Sequence, residues 1–589
     1  MGETELEKTY KRFLLSGLAL SLLSAVLAGS ALGAETNTNA APAAAPSKNL
    51  IIMIGDGMGT AHVTAARYYA RKFLNKDQLE LDNYFVGTAS TYSEQSPYTT
   101  ESGAVTDSSA AGTAFATGKK TYNNAVSVSN EDIAKPHASV IEAAMKIGKS
   151  TGLVTTDTLT GATPAVFASH VRLRFNQNAI ASQYVDSGVN VLLGGGKASF
   201  VTLEEKGTRT DKSIIADFEA RGYQTVNDAA GLDALPANSD KVLGLFGMKT
   251  LPYVIDRRDN KTPSLSQMTQ KAIDILSKNK NGFTLLVEGG EIDHAAHSND
   301  FPAAVQEVLD FDATVKMVMD FAKKDGNTSV VVTADHETGG LTVGNTVISS
   351  TGLAYQLDIN LWNQPKLSGD AMVKLLMENT TTENIRKVVA EHTGFTDLTD
   401  AEVAQIKSGL NPDLPSQLRA SGYNNVIARR LGVNWATPGH TAVDVGVWAY
   451  GPIASLVKGA IDNTDIAKSG AKVIGADLDA ASAELQSKYL YPMYKVTSEK
   501  TILYPARAMA NALGITVKWD EATRTVTLSK GANQATISIV TKAVKINGAD
   551  SALVGIVDKG KLYLPLDVYN KLTGKSMTWD TLSERLVLN

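Results

Sequence analysis

The sequence predicts an α/β fold: a central, mostly parallel sheet sandwiched by helices, followed by a small α+β repeat domain. Three observations carry this. Short runs such as "NLIIMIGDG", "STGLVTT", "VNVLLGGG", "FTLLVEGG" and "SVVVTADH" are apolar throughout or end in Gly or an acid. A strand without polar alternation is buried on both faces, as in a parallel sheet covered by helices. Helical stretches such as "SVIEAAMKIGK" and "MTQKAIDILSKN" lie between these runs. Near the end, "YPARAMANALGITVKWD" (Tyr504–Asp520) is echoed by "LPLDVYNKLTGKSMTWD" (Leu564–Asp580), with Pro505, Gly514 and Trp519 spaced as Pro565, Gly574 and Trp579. Such a duplication predicts a separate domain of two units that pack on each other.

The elements follow in chain order. Lys8, Lys11 and Arg12 precede the apolar run "FLLSGLALSLLSAVLAGSALGA", which closes in small residues. Residues 1–34 therefore read as an export signal, cleaved after Ala34 or a few residues earlier, rather than as a membrane anchor. The expected location is secreted or associated with a bacterial cell envelope. Residues 35–48 are low-complexity linker, rich in Ala and Pro. At 589 residues the chain is longer than one ordinary domain. A net charge of -5 gives no reason to expect nucleic acid as a specific partner. With no cysteine, an exported chain draws its stability from packing and metals.

Residues 49–495 form the large domain. Three of its buried runs end in acids, Asp56, Glu288 and Asp335. In open α/β sheets the site lies at the carboxyl ends of the strands, where residues distant in sequence converge. Residues from about 345 to 430 are more polar and helical, as in "TTENIRKVVAEHTG" and "TDAEVAQIKSGL", and read as an insertion. The strand pattern returns at "HTAVDVGVWAYGP". Residues 496–589 are the repeat domain, each unit a short helix, a Gly stop and a strand through Trp.

Four stretches carry chemistry. "IGDGMG" places Asp56 between glycines at a strand end. "EGGEIDHAAH" supplies Glu288, then Asp293 and His297 at i and i+4, on one helix face and able to share a cation. "VTADHETGG" supplies Asp335 and His336, and "PGHTAVDV" supplies His440. Taken alone, Asp335 reads equally as a helix cap. Together these residues are mixed imidazole and carboxylate donors, which suit zinc, and an all-oxygen subset, which suits magnesium. In "VTDSSAAGTAFATG", Ser108 follows Asp107 at a predicted helix start, where free N–H groups favour an anion. Alone, that pair reads as an N-cap. A serine hydroxyl needs a base or a metal to become a nucleophile.

The ordered set "IGDGMG", "TDSSAAGTAFATG", "ATPAVFASHVRLR", "VEGGEIDHAAH", "VTADHETGG" and "PGHTAVDV" resembles the alkaline phosphatases, over roughly residues 49–495. The resemblance implies hydrolysis of phosphate monoesters through a phosphoserine on Ser108, with Arg174 gripping the phosphate oxygens. It implies two zinc ions and one magnesium ion. Asp293, His297 and His440 would hold the first zinc. Asp56, Asp335 and His336 would hold the second, which also contacts Ser108. Asp56, Thr163 and Glu288 would hold the magnesium. Two positions vary within the family. Gly161 stands where Asp or His is frequent beside the magnesium, and His294 stands where some members carry Lys and would contact phosphate. The tail resembles the small domain at the N-terminus of some copper amine oxidases, which is reused in exported bacterial proteins. It is expected to serve envelope attachment or spacing. Trp519 and Trp579 read as repeat-core residues, with carbohydrate stacking as the alternative. A homodimer is compatible with the family. The runner-up activity is phosphodiester cleavage on the same scaffold, and a non-catalytic wall-binding protein is the reading from another class.

Overall fold

A computed structural model describes residues 46–589, apart from 97–98, 258–260 and 350–351. The expected export signal (residues 1–34) and most of the expected linker (35–48) lie outside the described residues. Among the described residues no helix is long and apolar enough to cross a membrane.

A ten-stranded sheet organises the large domain. Its strands are β1 (Asn49–Gly55), β2 (Phe85–Ser90), β3 (Ser150–Thr158), β4 (Val191–Gly195), β5 (Gln224–Val226), β6 (Val242–Leu245), β7 (Phe283–Gly289), β8 (Thr328–Thr333), β9 (Val445–Tyr450) and β10 (Gly459–Asp462). They lie in the order β10-β2-β9-β8-β1-β7-β3-β4-β6-β5. From β8 to β5 every pairing is parallel, and β9 runs antiparallel to both its neighbours. Every residue of β1, β7 and β8 is buried, so helices cover both faces, as the unbroken apolar runs require. One helical layer contains α1 (Thr60–Phe73), Leu265–Leu276 and the long helix Phe301–Asp325. A second contains α2 (Ser108–Thr117), Val140–Lys146, α3 (Ala162–Ala168) and Thr464–Ile474.

Register places the chemistry. Ile54 of β1 pairs with Glu288 of β7 and with Thr333 of β8, and Thr155 of β3 pairs with Glu288. Asp56, Glu288, Asp335 and the end of β3 therefore leave four adjacent parallel strands on the same edge. The segment from 345 to 430 begins with a hairpin, Asn345–Ser349 with Gly352–Gln356, and continues as helices including Gly369–Glu378, Thr382–Thr393, Asp400–Gly409 and Ser421–Arg430. These close over their own core around Met372, Ile385, Ile406 and Val426, which also receives Tyr69 and Phe301 from the large domain.

The repeat units adopt the expected form. Helix Ala506–Ala512 leads through Gly514 (φ 64°) to strand Thr516–Asp520. Helix Leu566–Thr573 leads through Gly574 (φ 69°) to strand Thr578–Asp580. The two domains meet in a shared sheet: Tyr489–Pro492 pairs with Arg585–Val587 on one side and with Ile133–Ala134 on the other. Ile133 and Leu490 are buried in the core of the repeat domain, so the junction is packed rather than a free linker.

Candidate active site

Ser108 is the first residue of α2, and Asp107 caps that helix by accepting from the Ala110 N–H at 2.9 Å. The tail of this cap separates two adjacent serines. Ser109 Oγ donates to Asp107 Oδ2 at 2.7 Å, whereas Ser108 Oγ faces His336 Nε2 at 3.1 Å. Arg174 Nη1 donates to the same Asp107 oxygen at 3.1 Å. Asp107 thus sets the helix start and also holds Arg174 beside it, a role that N-cap reasoning from sequence did not supply.

Three imidazoles are pinned from behind. His297 Nδ1 lies 2.6 Å from the Pro438 carbonyl, and His440 Nδ1 lies 2.8 Å from the Thr106 carbonyl. Carbonyls only accept, so both Nδ1 atoms carry the proton and both Nε2 atoms present lone pairs. Those two Nε2 atoms face each other at 3.0 Å. Thr338 Oγ1 gives its proton to Asp293 and accepts from His336 Nδ1 at 3.1 Å, so His336 also presents a bare Nε2. It lies 3.1 Å from Asp335 Oδ2 and 3.7 Å from Asp56 Oδ1. Lone pairs facing lone pairs at these distances require a shared proton or a cation.

The oxygens make the same demand. Asp56 Oδ1, Asp335 Oδ2, Glu288 Oε1 and Thr163 Oγ1 are buried without a hydrogen-bond partner among the described residues. Native proteins rarely leave such atoms unpaired. Asp335 does not cap a helix: its Oδ1 accepts from the Gly57 and His336 N–H groups at 3.0 and 2.9 Å, which turns Oδ2 inward. Burial, reinforced by Asp335, Asp293 and Glu288, pushes the Asp56 carboxyl well above its ordinary range. Burial and then Asp157 push Glu288 up to about 8. Asp293 behaves oppositely: burial opposes its charge, but His297, His440 and His336 hold it well below the usual carboxylate range. The donors of Asp56, Asp335 and His336 lie within 4.8 Å of one another, as do those of Asp293, His336 and His440. Gly57 (φ +70°) is required here, since a Cβ would lie 2.6 Å from Asp293 Oδ1 and 2.7 Å from Thr338 Oγ1.

The structure thus brings Asp56, Ser108, Thr163, Arg174, Glu288, Asp293, His297, Asp335, His336 and His440 to one place. His294 stands at its rim, paired with Glu291 at 3.2 Å. Two further residues were not singled out from sequence. Thr155 donates to Glu288 Oε2 at 2.5 Å and accepts from the Asp157 N–H at 2.8 Å. Asp157 places its carboxylate where a side chain on Gly161 would stand: a Cβ there would collide with Asp157 Oδ2. Asp157, Glu291 and His294 also lie within 4.8 Å of one another. The spacing of "TTDTLTG" holds no signal for this exchange, because it depends on how the turn after β3 folds back.

The comparisons agree with this geometry. The alkaline phosphatase family profile matches residues 47–475, and the copper amine oxidase N-terminal domain profile matches residues 486–588. The chain is 39% identical over 439 residues to alkaline phosphatase 3 of Bacillus subtilis (strain 168), covering 72% of this chain and 89% of that one. It is 37% identical over 476 residues to alkaline phosphatase 4 of the same organism, covering 78% and 96%. Among solved structures, the cold-active alkaline phosphatase of a psychrophilic Shewanella aligns with a TM-score of 0.62 at 36% identity, over 72% of this chain and 99% of that one. The Thermus thermophilus alkaline phosphatase aligns with a TM-score of 0.64 at 29% identity, over 78% and 99%. A serine aimed from a helix start into a nest of unpaired acids and imidazoles, on a sheet with these relatives, leaves one conclusion: the chain belongs to the alkaline phosphatase family.

Proposed function

We propose that this enzyme hydrolyses phosphate monoesters through a phosphoserine on Ser108. The observation that carries the reading is the placement of Ser108 Oγ, 3.1 Å from His336 Nε2, with Arg174 anchored through Asp107 alongside. Asp293, His297 and His440 would hold one zinc, Asp56, Asp335 and His336 a second, and Asp56, Thr163 and Glu288 a magnesium. The first two donor sets mix imidazole with carboxylate and the third is all oxygen, which matches the preferences of those ions. When bound, the cations supply positive charge that acidifies a hydroxyl or water and offsets charge on phosphoryl oxygens. Arg174 grips two phosphoryl oxygens with its planar guanidinium. Ser108 Oγ attacks phosphorus and the bond to the alcohol breaks, with the alcohol leaving protonated. Water then attacks the phosphoserine, Ser108 regains its proton, and inorganic phosphate departs.

Arg174 distinguishes monoesters from diesters, because esterification removes one of the oxygens it grips. Arg174→Ala is expected to slow an aryl phosphate by about 10- to 150-fold, the equivalent of ~1.5–3 kcal/mol in charge-assisted hydrogen bonds. Inhibition by inorganic phosphate should weaken in parallel. Turnover of an aryl diester should fall by a smaller factor, and equal fractional losses on both substrates would argue against this role of Arg174.

We infer also that Asp157 serves the magnesium set in place of a side chain at position 161. Its carboxylate occupies that space, its N–H reaches Glu288 through Thr155, and it is the foremost charge acting on Glu288. Loss of such a supporting partner weakens metal binding by about 10–100-fold. Asp157→Ala should show that drop in a magnesium titration followed by metal analysis. Gly161→Asp alone should clash, and Asp157→Gly combined with Gly161→Asp should recover affinity. An unchanged magnesium affinity in Asp157→Ala refutes the assignment.

A further inference from the structure

The two repeat units of the tail keep the same tryptophan but use it differently. Trp579 packs against Tyr494 and Tyr504, with ring centroids 4.9 and 5.9 Å away, and joins the core of the domain. Trp519 is 41% exposed. The expectation that both are core residues therefore holds for Trp579 and fails for Trp519. Its ring is nonetheless held in place, because Nε1 donates to Glu521 Oε2 at 2.6 Å.

Trp519 lines a cleft of about 1050 Å³ between the repeat domain and the segment around Ile133 of the large domain. Small-molecule sites span about 300–1,000 Å³, so this volume suits an extended ligand rather than a single small one. Val526, Val557 and Leu562 contribute apolar surface; Arg507, Arg524 and Lys561 stand on the repeat-domain side of the lining, and Glu131, Asp132 and Lys135 on the large-domain side, where Lys135 pairs with Glu131 at 3.6 Å. The three repeat-domain cations are exposed and pair with no carboxylate among the described residues. With Lys135, Arg507, Arg524 and Lys561 against Glu131 and Asp132, the lining is net positive in a chain of net charge -5.

We propose that this cleft binds an acidic glycan, with a sugar ring stacked on Trp519 and its anionic substituents met by Arg507, Arg524 and Lys561. A rigid, half-open aromatic ring offers a flat apolar face at low entropic cost, which suits the C–H face of a pyranose. Flanking guanidinium and ammonium groups add charge-assisted contacts. Three cations are too few for the long phosphate tracks by which nucleic acids are held. The cleft lies outside the catalytic cluster, so the inference stands independently of the reaction.

The test uses the full chain and isothermal titration with a short oligogalacturonate. A neutral malto-oligosaccharide and polyglutamate serve as the non-acidic and non-sugar arms. The expected result is saturable, salt-sensitive binding of the oligogalacturonate, at least about tenfold tighter than either control. Trp519→Ala should weaken it by about tenfold or more, with Trp519→Phe retaining part of the affinity. Arg507→Ala combined with Lys561→Ala should weaken it and flatten the salt dependence. All variants should turn over an aryl phosphate normally, which reports that they are folded. Absence of saturable binding, equal binding of polyglutamate, or full affinity in Trp519→Ala each overturns the proposal.

Discussion

Replacing Ser108 by alanine is expected to lower turnover of an aryl phosphate by on the order of 10⁴-fold, because the nucleophile of a covalent mechanism has no substitute in its place. The neighbouring hydroxyl does not compensate: Ser109 Oγ is committed to Asp107 Oδ2, and its side chain is fully buried. The variant should still bind its cations, since Asp56, Asp293, Asp335, His297, His336 and His440 all remain. In the unaltered enzyme, quenching a reaction in acid should trap phosphate on Ser108, because water is then a poor attacking group. Peptide mapping by mass spectrometry reads the position. Phosphate on Ser109 with none on Ser108 would overturn the assignment of the nucleophile, whatever the fate of activity.

Chelation should abolish activity and lower the melting temperature together. Without cations, the buried atoms Asp56 Oδ1, Asp335 Oδ2, Glu288 Oε1 and Thr163 Oγ1 have no partner, and the Nε2 atoms of His297 and His440 face each other at 3.0 Å. Unpaired buried charge is strongly destabilising. From the side of the ligand, an ion present at 1,000 times its Kd contributes about 4 kcal/mol to the folded state. There is no cysteine, so no disulfide offsets the loss. Adding zinc and magnesium back should restore both properties. Recovery should be more complete in Asp335→Asn than in Asp335→Ala, because asparagine keeps one side-chain oxygen and alanine keeps none; that oxygen has to serve either the cation or the Gly57 and His336 N–H groups, so Asp335→Asn should still fall short of the unaltered protein. A chelated protein that melts at the same temperature as the loaded one would mean that the cluster is not built around cations.

The large domain was legible because its signals are local. The apolar runs at Asn49–Gly55, Phe283–Gly289 and Thr328–Thr333 lack the polar alternation of a half-exposed strand, and the structure buries each of them completely. Asp293 and His297 are one helical turn apart, so their shared face follows from the helix period, and their side chains meet at 3.1 Å. The repeat was legible for the same reason: Gly514 and Gly574 mark positions where the backbone needs positive φ.

What the sequence by itself determined, then, is the order of the elements, the buried strands ending in acids, and the residue types available to the site. The tertiary structure alone decided which atoms are free to act. It chose Ser108 over Ser109 by turning Asp107 toward one of them, and it set the imidazole lone pairs through the Pro438 and Thr106 carbonyls, distant in sequence from the rings they orient. It placed Asp157 in the space left by Gly161, and it buried Trp579 while leaving Trp519 beside a cleft formed only where two domains meet. The physical reason is range. Periodicity and turn chemistry act over a few residues, whereas these choices depend on strand register and on packing between segments hundreds of positions apart, which no local pattern encodes.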